Sequence, residues 1–294
     1  MESSFYKSVP NYKSIIKKSR DILQNQSIKS MCIGKTVLER DIPTFSIGSP
    51  NKAILYVGGF HPQEWLTVLA MFRLLEDISS IITNETDLTK ALSTRGVIIV
   101  PCINIDGMEL VANGFESAGC YRGLVEEISG GDLSRWNANI KGVDINHNFD
   151  AGYDIVKQME MESGITKPSP RQYGGQYAES EPETRSLTEL CIKYDISRVM
   201  AFHSQGEEIY YHYGDNTPSH SRQLADIFAK SSGYEVLHPS GMASHGGFKD
   251  WFIEKTGKPG FTIEIGNGQN PLPVEDFQNI YDRIFEMMIL GIVI

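Results

Sequence analysis

Cysteine is scarce in this chain. Its four residues, Cys32, Cys102, Cys120 and Cys191, show no CxxC pair and no regular spacing. That excludes a disulfide framework or a cysteine-rich metal centre and leaves isolated thiols, buried or partly buried. Positive charge is also short: 27 Lys and Arg stand against 37 Asp and Glu, for a net charge of −10, with no basic run beyond Lys17-Lys18. Nucleic acid is repelled on average by such a chain. Long apolar runs are missing too. Nothing approaches the roughly 20 apolar residues of a membrane span, and the tail MMILGIVI reads as the end of a packed helix. The N-terminal MESSFYKSVPNYKSIIKKSRD has neither an apolar stretch of secretory length nor a cleavage pattern, so a cytoplasmic location is expected.

What is present is ordinary globular material, 40% hydrophobic and 22% charged in 294 residues, enough for one large α/β domain or two small ones. No repeat or inter-domain linker interrupts it. Residues 1–50 precede the first clear strand and are taken as an extension packed on, or leading into, a domain of residues 51–294. Short β-rich runs alternate with amphipathic stretches, which predicts a mostly parallel or mixed sheet with helices on both faces. Strands are expected at Ala53 to Val57, Val97 to Val100, Arg198 to Phe202 and Phe261 to Ile265. Helices are expected from Trp65 to Ile82, from a Ser180-Glu181-Pro182-Glu183 capping box through Lys193, and from Val274 to Leu290. Residues 106–178, Gly-rich and weakly periodic, read as long loops around a site.

His61 follows one strand, Asn104 and Asp106 another; His203 ends a third and Glu264 lies near the end of a fourth. Ligands of open α/β sheets collect beyond the carboxyl ends of the strands, so this placement predicts one shared crevice. His61-Pro62-Gln63-Glu64 is an H-x-x-E set at a strand-to-helix junction, whose side chains converge if they share a first helical turn. Two His and one Glu suit catalytic zinc, and His203 would be the third ligand. Alone, the tetrapeptide reads more readily as a surface His beside a Glu that favours the helix dipole, and its placement after Gly58-Gly59 at a strand end moves the balance to a ligand pair; a lone strand-end His is commonly a hydrogen-bonded structural residue. Glu264, inside FTIEI, either faces solvent from an edge strand or is a general base beside a metal-activated water, since burying a charge there is otherwise costly. His212, His220 and His238 sit in strand, polar or turn contexts; His245, before Gly246-Gly247, stands where it can approach a substrate.

Taken together the segments GGFHPQEW, PCINIDGME, GVDINHNF, YGGQYAESEPET, AFHSQGEE and FTIEIG resemble the M14 metallocarboxypeptidase family over about residues 50 to 290. The resemblance implies a three-layer α/β/α sandwich around a mixed, roughly eight-stranded sheet. It also implies one zinc ion on His61, Glu64 and His203, with Glu264 as catalytic base and a peptide as substrate. Where the family has Asn-Arg to grip a terminal carboxylate, this chain has Asn146-His147, and imidazole lacks the charged fork of Arg. The family's oxyanion arginine falls at Asn137 in SRWNANIKGVD, with Arg135 and Lys141 nearby, and the tyrosine that covers the site aligns with Met242. Asn146, His147, Met242 and His245 are therefore the expected substrate contacts. The WNAN and HSQGEEIYY stretches look like the branch that cleaves γ-D-glutamyl-diaminopimelate bonds. That implies muropeptides as substrate, met in recycling or when a sporulating mother cell lyses. A general carboxypeptidase and an aspartoacylase-like deacylase are the alternatives.

Overall fold

The sheet is built from strands whose alternate residues feed two different cores. In β3 (Ile54–Val57), Ile54 and Tyr56 pack to one side while Leu55 and Val57 pack to the other. β4 (Val97–Val100) and β5 (Arg198–His203) divide their residues the same way, as period-2 geometry requires of strands covered on both faces. The remaining strands are β1 (Lys29–Lys35), β2 (Asp41–Ile47), β6 (Glu208–Tyr210), β7 (Glu235–Leu237) and β8 (Gly260–Glu264). Together they form one mixed eight-stranded sheet in the order β1-β2-β4-β3-β5-β8-β6-β7. The structure, a computed structural model, describes residues 4–82, 87–238 and 241–294, without the side chains of residues 242 and 243.

Helices in chain order are α1 (Tyr12–Ile22), α2 (Trp65–Ile81), α3 (Asp87–Thr94), α4 (Ile105–Asn113), α5 (Arg122–Ser129), α6 (Tyr153–Glu162), α7 (Pro182–Lys193), α8 (Ser221–Ser232), α9 (Phe248–Thr256) and α10 (Phe277–Val293). Leu69 and Phe72 of α2, Phe228 of α8 and Ile284 and Met288 of α10 join the core on one face; Leu187 of α7 and Phe252 of α9 join that on the other. This is the expected three-layer α/β/α sandwich. No described helix is long and apolar enough to cross a membrane.

Three expectations change. Residues 29–47, placed by sequence in an N-terminal extension, supply two strands of the same sheet: β1 pairs with β2, and β2 with β4, both antiparallel. Residues 106–178 hold most of α4 and all of α5 and α6, not loops alone. These helices are short and bury few apolar residues each: Met108 of α4 joins the main core, Leu110 and Val125 pack against Trp136 and Ile140 in a small separate one, and α6 buries Val156, so their periodicity is weak. Finally, the Ser180–Glu183 capping box does not form. Ser180 Oγ donates to Glu181 Oε1 at 2.9 Å, Glu181 caps α7 without a side-chain bond, and Glu183 is buried.

Candidate metal centre and active site

Gly58-Gly59 follow β3, and the turn beyond them delivers His61. Gly59 sits at φ +65°, and a Cβ there would lie 2.9 Å from Cys102 Cα. A side chain at this position would be strained and would push the two loops apart. Asn104 holds the turn from the next strand, donating from Nδ2 to Phe60 O at 2.9 Å while its Oδ1 caps α4 by accepting from Gly107 N at 3.1 Å. Asp106, also buried, accepts from Leu38 N at 2.8 Å and Arg40 Nη1 at 2.9 Å. Neither residue lines the crevice predicted for them; Asn104 braces the turn that carries His61, and Asp106 ties α4 to the segment between β1 and β2.

His61 and Glu64 lie in the turn leading into α2, with Glu64 as its N-cap, rather than on its first helical turn. Convergence survives because Glu64 N donates to His61 O at 3.0 Å and Thr67 Oγ1 to Glu64 O at 2.7 Å. Glu64 Oε1 lies 2.8 Å from His61 Nδ1, and its Oε2 lies 3.1 Å from His203 Nδ1. The two Nδ1 atoms are 3.3 Å apart. Among the described residues this is the one group of three such side chains positioned to hold a metal ion.

The group fits zinc on its own chemistry. Two imidazole nitrogens and a carboxylate facing one point are a set that catalytic zinc uses. His61 Nε2 lies 3.1 Å from Asp144 Oδ1, the outer carboxylate that orients a ligand imidazole and leaves Nδ1 free. His203 is buried against Phe60, with ring centroids 4.8 Å apart, and its Nε2 has no hydrogen-bond partner among the described residues. Its other nitrogen, Nδ1, faces Glu64 and His61 and is the atom a cation would take.

Electrostatics agree. Burial opposes charge on His61, but Glu64 and Asp144 outweigh it and raise its pKa well above the usual value. Burial would raise Glu64, yet the neighbouring imidazoles bring it down to about 2. Asp144, likewise opposed by burial, is held below the usual carboxylate range by His61 and His147. Burial lowers His203. Glu264, beside His203 in the β5–β8 ladder, is pushed well above the ordinary range by burial and by the charge of Glu64. A divalent cation on Glu64 would offset the second of these effects.

A cavity of about 510 Å³ opens on this group. Asn137, Asn146, His147 and His245 line it, as does Glu264. Asn146 Oδ1 accepts from Phe248 N at 3.0 Å, and His245 Nδ1 is 3.1 Å from Tyr213 Oη. Gly246, at φ +75°, closes this loop on His147, where a Cβ would lie 3.0 Å from His147 O. Arg135 does not line this cavity but an adjacent one, and Lys141 instead pairs with Glu181 at 2.9 Å. The Met242 side chain lies outside the described residues. His212 lies just beyond β6, exposed, and not within a strand.

Sequence reading missed the position of Asp144, although it lies within the quoted GVDINHNF. It also missed Lys249 and Asp250, a buried ion pair on the cavity wall in which Lys249 Nζ also donates to His212 O at 2.9 Å. The signal was available: two opposite charges inside the aromatic run FKDWF. Among the described residues, no aliphatic side chain lines the cavity.

The chain matches the zinc carboxypeptidase family over residues 21–287. It is 33% identical over 268 residues to γ-D-glutamyl-L-diamino acid endopeptidase 1 of Lysinibacillus sphaericus, covering 88% of this chain and 66% of that protein. The chain thus spans just under two thirds of that relative's length. Among solved structures, bovine thrombin-activatable fibrinolysis inhibitor superposes with a TM-score of 0.75 at 17% identity, covering 98% of each chain. The murein-tripeptide amidase MpaA of Escherichia coli O157 superposes at 0.56 and 19%, covering 88% of this chain and 89% of that one. At these identities the two structures speak to fold alone. The family match shows that the chain belongs to the zinc carboxypeptidase (M14) family, and its His61, Glu64 and His203 are placed to hold one metal ion.

Proposed function

We propose that this chain hydrolyses the γ-D-glutamyl amide bond that precedes diaminopimelate in bacterial cell-wall peptides. The observation that carries this reading is the character of the cavity beside the metal group. Its described wall is polar and charged, with His147 where the family places an arginine and with the buried Lys249–Asp250 pair. An aromatic or aliphatic C-terminal residue finds no aliphatic side chain there and, among the described residues, Tyr210 as its one large hydrophobic neighbour. A diamino acid, charged along its own side chain, finds hydrogen-bonding partners. The resemblance to the Lysinibacillus endopeptidase supports the same substrate class.

Held by His61, Glu64 and His203, zinc would supply Lewis acidity at the scissile carbonyl. Asp144 keeps the His61 ring oriented. Glu264 would take a proton from the attacking water on a carboxylate oxygen and deliver it to the departing amine nitrogen. Asn137, buried on the cavity wall, would offer its side-chain amide to the carbonyl oxygen as negative charge develops there. Asn146 and His147 would contact the leaving residue.

The test is incubation of the zinc-loaded protein with L-Ala-γ-D-Glu-diaminopimelate. Release of diaminopimelate and L-Ala-D-Glu is expected. No cleavage, with removal of ordinary C-terminal residues from peptides, would make this a general carboxypeptidase. Hydrolysis of N-acetyl amino acids alone would make it a deacylase.

A further inference from the structure

Next to the metal cavity lies a second one of about 630 Å³. It shares Arg171, Gln269 and Asn270 with the metal cavity and adds Gln63 and Arg135; no carboxylate lines it. In a chain of net charge −10, two guanidinium groups therefore border one opening without an acid among its walls. Both arginines are exposed, neither guanidinium makes an ion pair or a hydrogen bond among the described residues, and the charge of Arg135 reaches Asp132 outside the cavity.

The two arginines are brought together by backbone hydrogen bonds. Asn137 N and Ala138 N both donate to Pro170 O, at 2.8 and 3.1 Å, which sets the segment carrying Arg135 beside the one carrying Arg171. Each segment is also tied to the metal group. Gln63, between the ligands His61 and Glu64, donates from Nε2 to Leu133 O at 3.1 Å and to Ser134 O, one residue before Arg135. Gln172, one residue after Arg171, donates its N–H at 3.1 Å to Asp144 Oδ2, and the other oxygen of Asp144 holds His61. These anchors register the pair against the reacting centre, whereas arginines on an unanchored loop would have no fixed relation to it.

We infer that Arg135 and Arg171 form a carboxylate clamp for the acyl side of the scissile bond, reading the free α-carboxylate of a γ-linked glutamyl residue. The inference rests on the γ-glutamyl reading above and deepens it. An amide through the γ-carboxyl leaves the α-carboxylate ionised three carbons from the reacting carbonyl; an ordinary α-linked peptide has no such charge there. The Lys249–Asp250 compartment is not part of the outer cavity, so the leaving diamino acid and the acyl residue meet separate walls. Arginine suits the task because its planar fork pairs with both carboxylate oxygens. The clamp positions substrate and does no chemistry.

The experiment measures binding apart from cleavage. Calorimetry on the zinc-loaded full chain compares L-Ala-D-Glu with L-Ala-D-isoglutamine, which keeps the γ-carboxylate but carries an α-carboxamide. The dicarboxylate is expected to bind at least ~10-fold tighter. The R135Q/R171Q double variant should lose that preference, and R135K/R171K should restore part of it, with zinc content and thermal midpoint unchanged in both. Equal affinity for the two ligands in the wild type, or a preference that persists in the double variant, overturns the clamp. Cleavage of L-Ala-γ-D-Glu-diaminopimelate is scored separately. A wild type that discriminates the ligands but does not cut the peptide refutes the proposed reaction and leaves the clamp standing.

Discussion

His203 and Glu264 are register partners at the carboxyl ends of the parallel strands β5 and β8. A metal-ligand imidazole and a carboxylate from distant parts of the chain are thereby held one strand spacing apart by backbone hydrogen bonds. If Glu264 is the base, Glu264→Gln should lower kcat by about 10²- to 10⁴-fold. Bound zinc, read by atomic emission on the dialysed protein, should stay near one per chain. A variant with normal turnover would remove Glu264 from the mechanism.

Asp144 supports the metal without belonging to the group that holds it, through its 3.1 Å contact with His61 Nε2. Asp144→Asn should weaken zinc affinity by about 10- to 100-fold, measured by competition with a chromophoric chelator. His203→Ala should lose zinc outright. Removing zinc from the wild type with a chelator should lower the thermal midpoint, and adding zinc back should restore it, because a ligand bound only by the folded state stabilises that state. An unchanged midpoint would argue that the three side chains bind no ion.

His147 lies on the cavity wall, where the family resemblance places an arginine, and we propose that it sets specificity. His147→Arg, which restores a charged fork on the cavity wall, should raise kcat/KM on simple C-terminal residues by about 10-fold relative to the γ-glutamyl peptide. A ratio that does not move would shift the specificity argument to Lys249 and Asp250.

A separate prediction concerns pH and stability at Glu183, far from the metal ligands in sequence and fully buried. Burial, with Glu181 and Asp106 close by, raises its carboxyl to about 8 from an ordinary 4.5. Below about 4.5 both folded and unfolded chains hold the proton. Between 4.5 and 8 the unfolded chain releases it while the folded one keeps it, so stability falls as pH rises, by up to roughly 1.4 kcal/mol per unit. Above about 8 both are ionised and the loss levels off. Glu183→Gln should flatten that slope in urea titrations across pH 5 to 8. An identical slope in the variant would place the titration elsewhere.

Some of the site was legible before any coordinates. His61, Glu64 and His203 stand at strand ends, and their residue types suit zinc; the structure brings their donor atoms within 4.8 Å of one another. The strands at Val97–Val100 and Arg198–His203 were equally plain, because strands buried on both faces are continuous apolar runs. β1 was not. Its seven residues Lys29–Lys35 are half exposed at the sheet edge, so their composition carries no strong strand signal. Nor were α5 and α6, which bury one or two side chains each.

The chain's own residue order determined the local matter: which runs alternate and therefore lie in the sheet, where a glycine must follow β3, and which side chains can ligate zinc. Tertiary structure alone decided the rest. Asp144 is 83 residues from His61, and the segment carrying Arg135 lies beside the one carrying Arg171 because two backbone amides share Pro170 O. Such pairings depend on where loops cross at the end of the sheet, and no periodicity records that. Spacing along a chain governs neighbours on one helix face or strand, whereas partners on separate loops are chosen by packing of the whole sheet.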